Sequence, residues 1–294
     1  MEPVGATVAR PPYLPFMDGP APNTPEAFRW RLGVRPLDLR DWIELGADAD
    51  AGIAAKPRLM ADHPDTVFAV LDDVEPESTE VADALLEHLR ERWPDRYADA
   101  ALESSLHPLD AAARLVPEDL VLLVERDGQL VFGGGSVCFP NRWDLRSKVG
   151  LSMAGVHAPV AQLNEQLEAP IDSFFDRLTP ARSFWRLGWG ILDTPDWYTP
   201  LDGTALPRPP SPGPDDHFLR VERETLRRFP RTNCVLFTIR TYVAPIPAVA
   251  GDDDVARRLA DAVASLPGDV RSYKDVVRSA DALISRLRGN PGQS

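Results

Sequence analysis

The segment from Leu120 to Phe132 restricts the fold more than any other part of the chain. Two apolar, β-branched runs, Leu120-Val-Leu-Leu-Val and Gln129-Leu-Val-Phe, flank Glu125-Arg-Asp-Gly. An Asp-Gly pair between such runs favours a tight turn with positive φ at its central residues, which joins antiparallel strands. A sheet therefore starts here. Gly133-Gly-Gly135 follows and lets the strand twist or bulge before it resumes through Ser136 to Phe139. A phosphate cradle built from these glycines would need a Lys-Ser/Thr pair or a G-x-G-x-x-G frame, and neither follows.

Cys234 to Val243 also alternates. Val235, Phe237, Ile239, Thr241 and Val243 share one face, while Leu236, Thr238, Arg240 and Tyr242 share the other. Trp185 to Asp193 reads as a further strand, and Leu219-Arg-Val-Glu alternates so that Arg220 and Glu222 fall on one side. Helical spacing runs from Ser78 to Trp93, where Val81, Leu85 and Leu89 recur every fourth residue, with Ser78 as the cap and Pro94 as the stop. Leu109 to Leu115 is a second, short helix. Leu167, Ile171, Phe174, Phe175 and Leu178 share a helical face, and Pro170 is expected to break that run in two. A helix from Asp252 and another from Ser272 to Leu287 close the chain.

This order of elements predicts an α+β fold, a mainly antiparallel sheet with flanking helices and N- and C-terminal helical extensions. The 294 residues suffice for a core without staples, and Cys138 and Cys234, both in apolar runs, read as buried thiols. The 30 prolines cluster in Met1 to Pro36 and Pro195 to Pro214. The expected division is a proline-rich lead over 1–32, a ligand-binding domain over 33–250 and C-terminal helices over 251–294. A net charge of -13 argues against a nucleic-acid partner, whose phosphates it would repel. No apolar run approaches the length of about 18 residues needed to cross a membrane, and no signal-peptide pattern opens the chain, so a cytoplasmic protein is expected.

The chemistry-bearing residues concentrate between Val137 and Val160. Arg142, Arg146 and Lys148 lie there beside Trp143, and His157 stands immediately before Ala158-Pro159. Of the other histidines, His88 sits among Glu87, Arg90 and Glu91 and reads as solvated. His63 and His217 occupy Pro/Asp-rich loops, and His107 stands at the entry to a short helix. The setting of His157 suits either a core hydrogen bond or single-histidine ligation of a haem iron; no second ligand sits near it at zinc spacing. The three cations are either a solvated loop cluster or donors for carboxylates such as haem propionates. Arg220, Glu222, Arg223 and Glu224 are either surface ion pairs or, where the alternating side faces a pocket, a carboxylate that calls for a cation. No nucleophile elbow, Walker loop or H-E-x-x-H is present.

Several motifs taken together go further. Gly33-V-R-P-L-D-L-R-D-W, L-L-E-H-L-R-E-R-W-P-D-R-Y, V-C-F-P-N-R-W, V-H-A-P-V, W-R-L-G-W, R-V-E-R-E-T-L-R-R-F-P-R-T and F-T-I-R-T-Y-V follow one another in this order. The chain resembles the haem-dependent oxidative N-demethylase family from Gly33 to Leu287. The resemblance implies a PAS-like fold that binds haem b and removes a methyl group from a small secondary amine such as dimethylamine. It also implies a monooxygenase-type use of O2, with electrons from a separate NADPH-dependent flavin and iron-sulfur reductase. Carried over by position, the histidine of V-H-A-P-V makes His157 the ligand to iron, with Arg142, Lys148 and Trp143 beside the cofactor. Alternation adds Arg186 and Arg240 on the cofactor side and Glu222, Arg220 and Tyr242 as catalytic candidates. The family pattern leads to Ser at Asn141, Asn at Gly188 and P-V-P-G-Y where Val160 to Leu163 differ, changes that bear on the substrate. A haem-binding PAS-type sensor and a silent ligand-binding subunit are the other readings.

Overall fold

The structure, a computed structural model, describes residues 4–19, 23–201, 213–274 and 280–289. The expected hairpin is present. Strands β3 (Asp119–Arg126) and β4 (Gln129–Ser136) meet at Asp127 and Gly128, whose φ angles of 52° and 76° are those of the tight turn that Asp-Gly favours. The register shifts between Leu122 and Leu123, so that Gly133 is the extra residue of a bulge among the three glycines.

Five more strands complete one antiparallel sheet: β1 (Arg35–Leu37), β2 (Phe68–Val70), β5 (Ser183–Leu192), β6 (Phe218–Arg228) and β7 (Val235–Pro245). Their order is β1-β5-β6-β7-β3-β4-β2. The α+β class read from the sequence is thus the fold. Because side chains alternate along a strand, register decides which residues share a face. Glu222 pairs with Gly188 on β5 and Thr241 on β7, whereas Arg223 pairs with Leu187 and Arg240. One face therefore carries Arg186, Gly188, Arg220, Glu222, Glu224 and Thr241, and the opposite face carries Arg223, Arg240 and Tyr242.

Helices cover both faces. Met153–His157 and Leu163–Arg177 lie over the first, where Met153, Leu163, Leu167 and Ile171 pack with Val121, Leu123, Leu226 and Val235. Glu75–Arg92 and Pro108–Ala113 cover β3 and β7 on the other face through Val81, Leu85, Leu89 and Leu109. Asp253–Ala264 and Ala280–Leu287 cover β5 and β6 on that same face through Val255, Leu259 and Leu283. Among the described residues no helix is long and apolar enough to cross a membrane.

Several local expectations need correction. Pro170 does not break its helix, which runs unbroken from Leu163 to Arg177. Leu167 and Ile171, buried on either side of the proline, hold the helix to the sheet and outweigh one lost backbone bond, a penalty of about 3 kcal/mol. Ser78 lies inside its helix and not at its start, because Pro76 with its fixed φ sets the first turn at Glu75. Of the helix expected from Ser272 to Leu287, Ser272 and Tyr273 end a helix that starts earlier, Gly268–Tyr273, Ala280–Leu287 is helical as read, and positions 275–279 lie outside the described residues. The Asp252 cap is as read, its carboxylate accepting from Asp254 N at 3.0 Å and Val255 N at 3.2 Å. Both cysteines are buried free thiols, raised by burial.

Two glycines of the hairpin separate backbone freedom from space. Gly128 and Gly134 both have positive φ, but a Cβ at Gly128 would meet nothing within 4 Å, while one at Gly134 would stand 2.5 Å from Ala69 O and from Val70 Cα on β2. Gly128→Ala is expected to cost about 1 kcal/mol through backbone strain. Gly134→Ala is expected to cost on the order of 3 kcal/mol, because β2 must also shift. Urea unfolding of both variants checks the difference; equal midpoints would show that β2 yields freely.

Candidate functional site

His157 ends the short helix Met153–His157, whose start is capped by Ser152, its Oγ accepting from Gly155 N at 3.3 Å. Burial first, then the charges of Arg186 and Lys148, push its imidazole down to about 4, against a small opposing effect of the Met153 carbonyl. The ring is therefore neutral at pH 7, the form that can ligate iron. Its Nδ1 is buried without a hydrogen bond of ordinary geometry among the described residues.

The other four histidines have settings of their own. His63 stacks on Tyr198 with centroids 5.0 Å apart, and His107 caps its helix, Nδ1 accepting from Leu109 N at 3.3 Å. Two expectations fail here. His88 is not solvated but wedged between Trp42 and Trp93, at 5.2 and 5.8 Å, and pushed down to about 4 by burial and by Arg227 and Arg92. The helix stripe that buries Leu85 and Leu89 extends to it. His217 is buried, with Nδ1 2.8 Å from Gly213 O, because it opens onto β6 instead of ending a surface loop.

The loop before His157 divides its cations. Lys148 reaches the histidine's own helix, Nζ donating to Val156 O at 3.0 Å, and burial lowers its pKa. Trp143 packs edge-on against Phe132 at 6.3 Å, beside Met153 and Val156. Arg142 turns through a positive φ of 57° toward the end of β5, where Asp193 holds its Nη2 at 2.7 Å. Arg146 remains exposed, 3.7 Å from Asp144.

The sheet face that the histidine's helix covers carries two ion pairs on β5 and β6. Arg220 Nε lies 2.8 Å from Glu222 Oε1, and Arg186 Nε lies 2.6 Å from Glu224 Oε2. Between them is Gly188, where a Cβ would come 3.2 Å from Glu224 Oε1 and 3.5 Å from Glu222 Oε2. The missing side chain leaves both outer carboxylate oxygens room for a ligand atom. Burial raises Glu224 to about 7, opposed by Arg186 and assisted by Glu222. Lys274, at the end of helix Gly268–Tyr273, approaches from the open edge of β5, where its Nζ donates to Trp189 O at 2.6 Å. Burial lowers it to about 8, and both glutamates oppose that.

Arg240 and Tyr242 are on the other face. Arg240 Nη2 contacts Asp48 at 2.5 Å, and the Tyr242 hydroxyl donates to Glu44 Oε2 at 2.5 Å. Glu44 also accepts from the Tyr13 hydroxyl and lies 3.2 Å from Arg223 Nε. Alternation along each strand was read correctly, but the register sets the parity of β7 against that of β6. The structure thus puts Arg186, Arg220 and Glu222 on the sheet face that the segment of His157, Lys148 and Trp143 covers, and Arg240 and Tyr242 on the opposite face.

A family model matches residues 33–284, that of the haem-dependent oxidative N-demethylase, alpha subunit-like proteins. The chain belongs to this family. Membership in the N-demethylase family brings dependence on haem, oxidative N-demethylation as the activity and a subunit's place in a larger enzyme. The residues fit such a cofactor: a neutral histidine with cations around it borders an apolar surface of Trp143, Met153 and Val156. Among the described residues no cluster of three or more His, Cys, Asp or Glu could hold a bare metal ion, and a haem held through one histidine would need none.

Two residues of this face carry more than the sequence reading gave them. Glu224 shares the parity of Glu222, so alternation already placed it there. Lys274 carries a weaker signal: lysine occurs only at positions 56, 148 and 274, against 29 arginines. Arg220 is a positioning residue by its contacts. Besides Glu222 it donates to Phe139 O at 2.5 Å, Thr241 Oγ1 at 3.0 Å and Trp197 O at 3.2 Å. Arg220→Ala is expected to destabilise the fold by roughly 3–5 kcal/mol, the cost of breaking a buried ion pair. Urea unfolding measures this; a loss below about 1 kcal/mol would mean that water replaces these bonds.

Proposed function

We propose that this chain is the haem-bearing subunit of an enzyme that oxidatively removes a methyl group from a small secondary amine. The observation that carries the reading is His157, kept neutral on a helix that covers the sheet face bearing Arg186, Glu222 and Glu224, where glycine separates the two glutamates. His157 is the residue that would hold the iron. The five central strands, β4-β3-β7-β6-β5, place the first and last of their set side by side, an order that supports the PAS-like reading.

When bound, the haem supplies the activation of O2 and the oxidation of the N-methyl carbon. The chain's own residues handle the amine. A secondary amine is protonated at pH 7, and its ammonium needs a desolvated carboxylate to enter an apolar site. Glu222 offers that carboxylate through Oε2, while its Oε1 stays with Arg220. Glu224, close to neutrality in its titration, can take the ammonium proton that must leave before nitrogen can release its methyl group. Overall, amine, O2, two electrons and two protons give the demethylated amine, formaldehyde and water, the carbon–nitrogen bond being the one that breaks.

The electrons come from outside. Two buried cysteines cannot provide four thiolates for an iron-sulfur cluster, and the chain has no dinucleotide fingerprint, which supports a separate NADPH-dependent flavin and iron-sulfur reductase.

Haem binding is tested on purified, haem-supplied protein. A Soret band is expected in the wild type and its near-complete loss in His157→Ala, with His107→Ala unchanged; a native spectrum in His157→Ala would falsify the ligand assignment. Turnover is tested by formaldehyde release. Protein, dimethylamine, O2 and NADPH alone should yield none, and added reductase or prior chemical reduction should yield it in proportion to haem. Glu222→Gln should then raise the amine concentration required by about 5- to 150-fold, equivalent to losing about 1–3 kcal/mol from a charged hydrogen bond. Reduced protein that only binds O2 reversibly, with no product from any methylated amine, would give the sensor reading its place.

A further inference from the structure

The ammonium group of Lys274 has an unusual resting place. Its Nζ lies 5.6 Å from the centroid of the Trp30 ring and 5.4 Å from that of Trp189, both within range for attraction to the faces of aromatic rings. It also donates to Trp189 O and feels the charges of Glu222 and Glu224. Two tryptophan rings about a cation with a backbone carbonyl as its acceptor are what a protein uses to recognise an alkylammonium ion.

The walls are built independently of the lysine. Trp30 is fixed by its backbone N–H to Gln166 Oε1 at 2.8 Å and by its indole N–H to Ala161 O at 2.9 Å. Trp189 is fixed by β5–β6 pairing and by edge-to-face contact with Phe16 at 5.9 Å. Lys274, by contrast, enters from a six-residue helix past the point where β1 stops pairing with β5 at Trp185. The other two lysines are held differently: Lys56 donates to Ala113 O and Glu118 O and lies 3.8 Å from Asp119 Oδ1 and 5.7 Å from the centroid of the single Phe139 ring, and Lys148 donates to Val156 O. In a chain that otherwise uses arginine for cations, the one lysine between two tryptophans stands beside the proposed amine carboxylates.

We propose that Trp30, the Trp189 ring and the Trp189 carbonyl bound an ammonium subsite at the β5 edge, beside the face that bears Glu222 and Glu224, whose occupant in the resting protein is the chain's own Lys274, displaced when a small alkylammonium ion binds. The proposal rests on the amine reading above and adds to it the self-ligand that the amine must replace. The exchange is neutral: one ammonium leaves the tryptophans and the carbonyl and another takes its position, so Arg186 and Arg220 keep their partners. A primary ammonium on a long stem fits such a cage less well than a methylated one, which presents apolar surface to both rings.

Two measurements on the full-length, haem-loaded protein test this. In the first, the wild type is acetylated under limiting reagent and the three lysines are followed by mass spectrometry, with tetramethylammonium chloride or sodium chloride at equal ionic strength. Tetramethylammonium has no N–H and consumes no reagent. Lys274 should be slow to react in sodium chloride and faster by about tenfold with tetramethylammonium, the factor for a subsite nine-tenths self-occupied. Lys56 and Lys148 should not change. In the second, dimethylammonium binding is titrated by tryptophan fluorescence in wild type and Lys274→Ala. The variant should bind about tenfold more tightly, since the competitor is gone. Unchanged Lys274 labelling overturns the proposal even where the variant does not fold. Equal affinities with normal formaldehyde release overturn the self-ligand alone, and absence of both amine binding and product overturns the amine reading with it.

Discussion

A strand with as many charges as β6 can lie in the middle of a sheet only if every charge meets a partner as the sheet forms. Arg220, Glu222, Arg223 and Glu224 are consecutive or nearly so, and three of the four are buried. Removing such ions from water costs several kcal/mol each, which a well-made pair does little more than offset. The pairs therefore specify more than they stabilise. Arg220 meets Glu222 and Arg186 meets Glu224 on one face, while Arg223 meets Glu44 and Arg240 meets Asp48 on the other. A slip of one residue would place every one of these charges against the wrong face. The charges that serve the site are thus the same ones that lock the register.

The long elements were legible because each carries its own periodicity. The Asp127-Gly128 hairpin, the strand at Val235–Pro245 and the Asp252-capped helix need no information from elsewhere in the chain. The edge strands Arg35–Leu37 and Phe68–Val70 were not legible, since three residues hold too little alternation to separate strand from loop. The candidate site was legible only in part, for a related reason. Alternation tells which residues of one strand share a side; it does not tell which side of β7 coincides with which side of β6. Tyr242 and Arg240 were assigned to the pocket on that missing information, and the pairing of Arg223 with Arg240 moves both to the other face. His88 was misjudged because its charged neighbours along the helix hid the two tryptophans that come to it from other segments.

Lysine and arginine divide the cationic work according to their chemistry. Arg220 is suited to its position because a planar fork can satisfy several carbonyls and a carboxylate together, and its donors do so. A lysine there would leave carbonyls unmet. Where the chain instead needs a compact, movable charge between rings, it uses Lys274, and near the imidazole it uses Lys148. Both keep their ammonium at the end of a flexible stem, so either can move to a new partner without rebuilding the sheet.

The overall charge and the local charge then act at different ranges. A chain at -13 draws small cations from solution, but screening confines that pull to about 10 Å from the surface at ordinary salt. Inside, the surroundings of His157 are cationic, through Arg186 and Lys148, and would oppose an ammonium there while favouring a dianionic cofactor. The two requirements are reconciled by distance across the sheet face: the carboxylates stand at Gly188, toward the β5 edge and the tryptophans, and Lys148 stands on the helix side. An amine entering along the β5 edge would meet aromatic rings and carboxylates before it met the cations, and would be neutral only after giving its proton to Glu224. On the proposed reading, charge sign along that path, more than cavity size, would select an ammonium ion over a neutral molecule of the same shape.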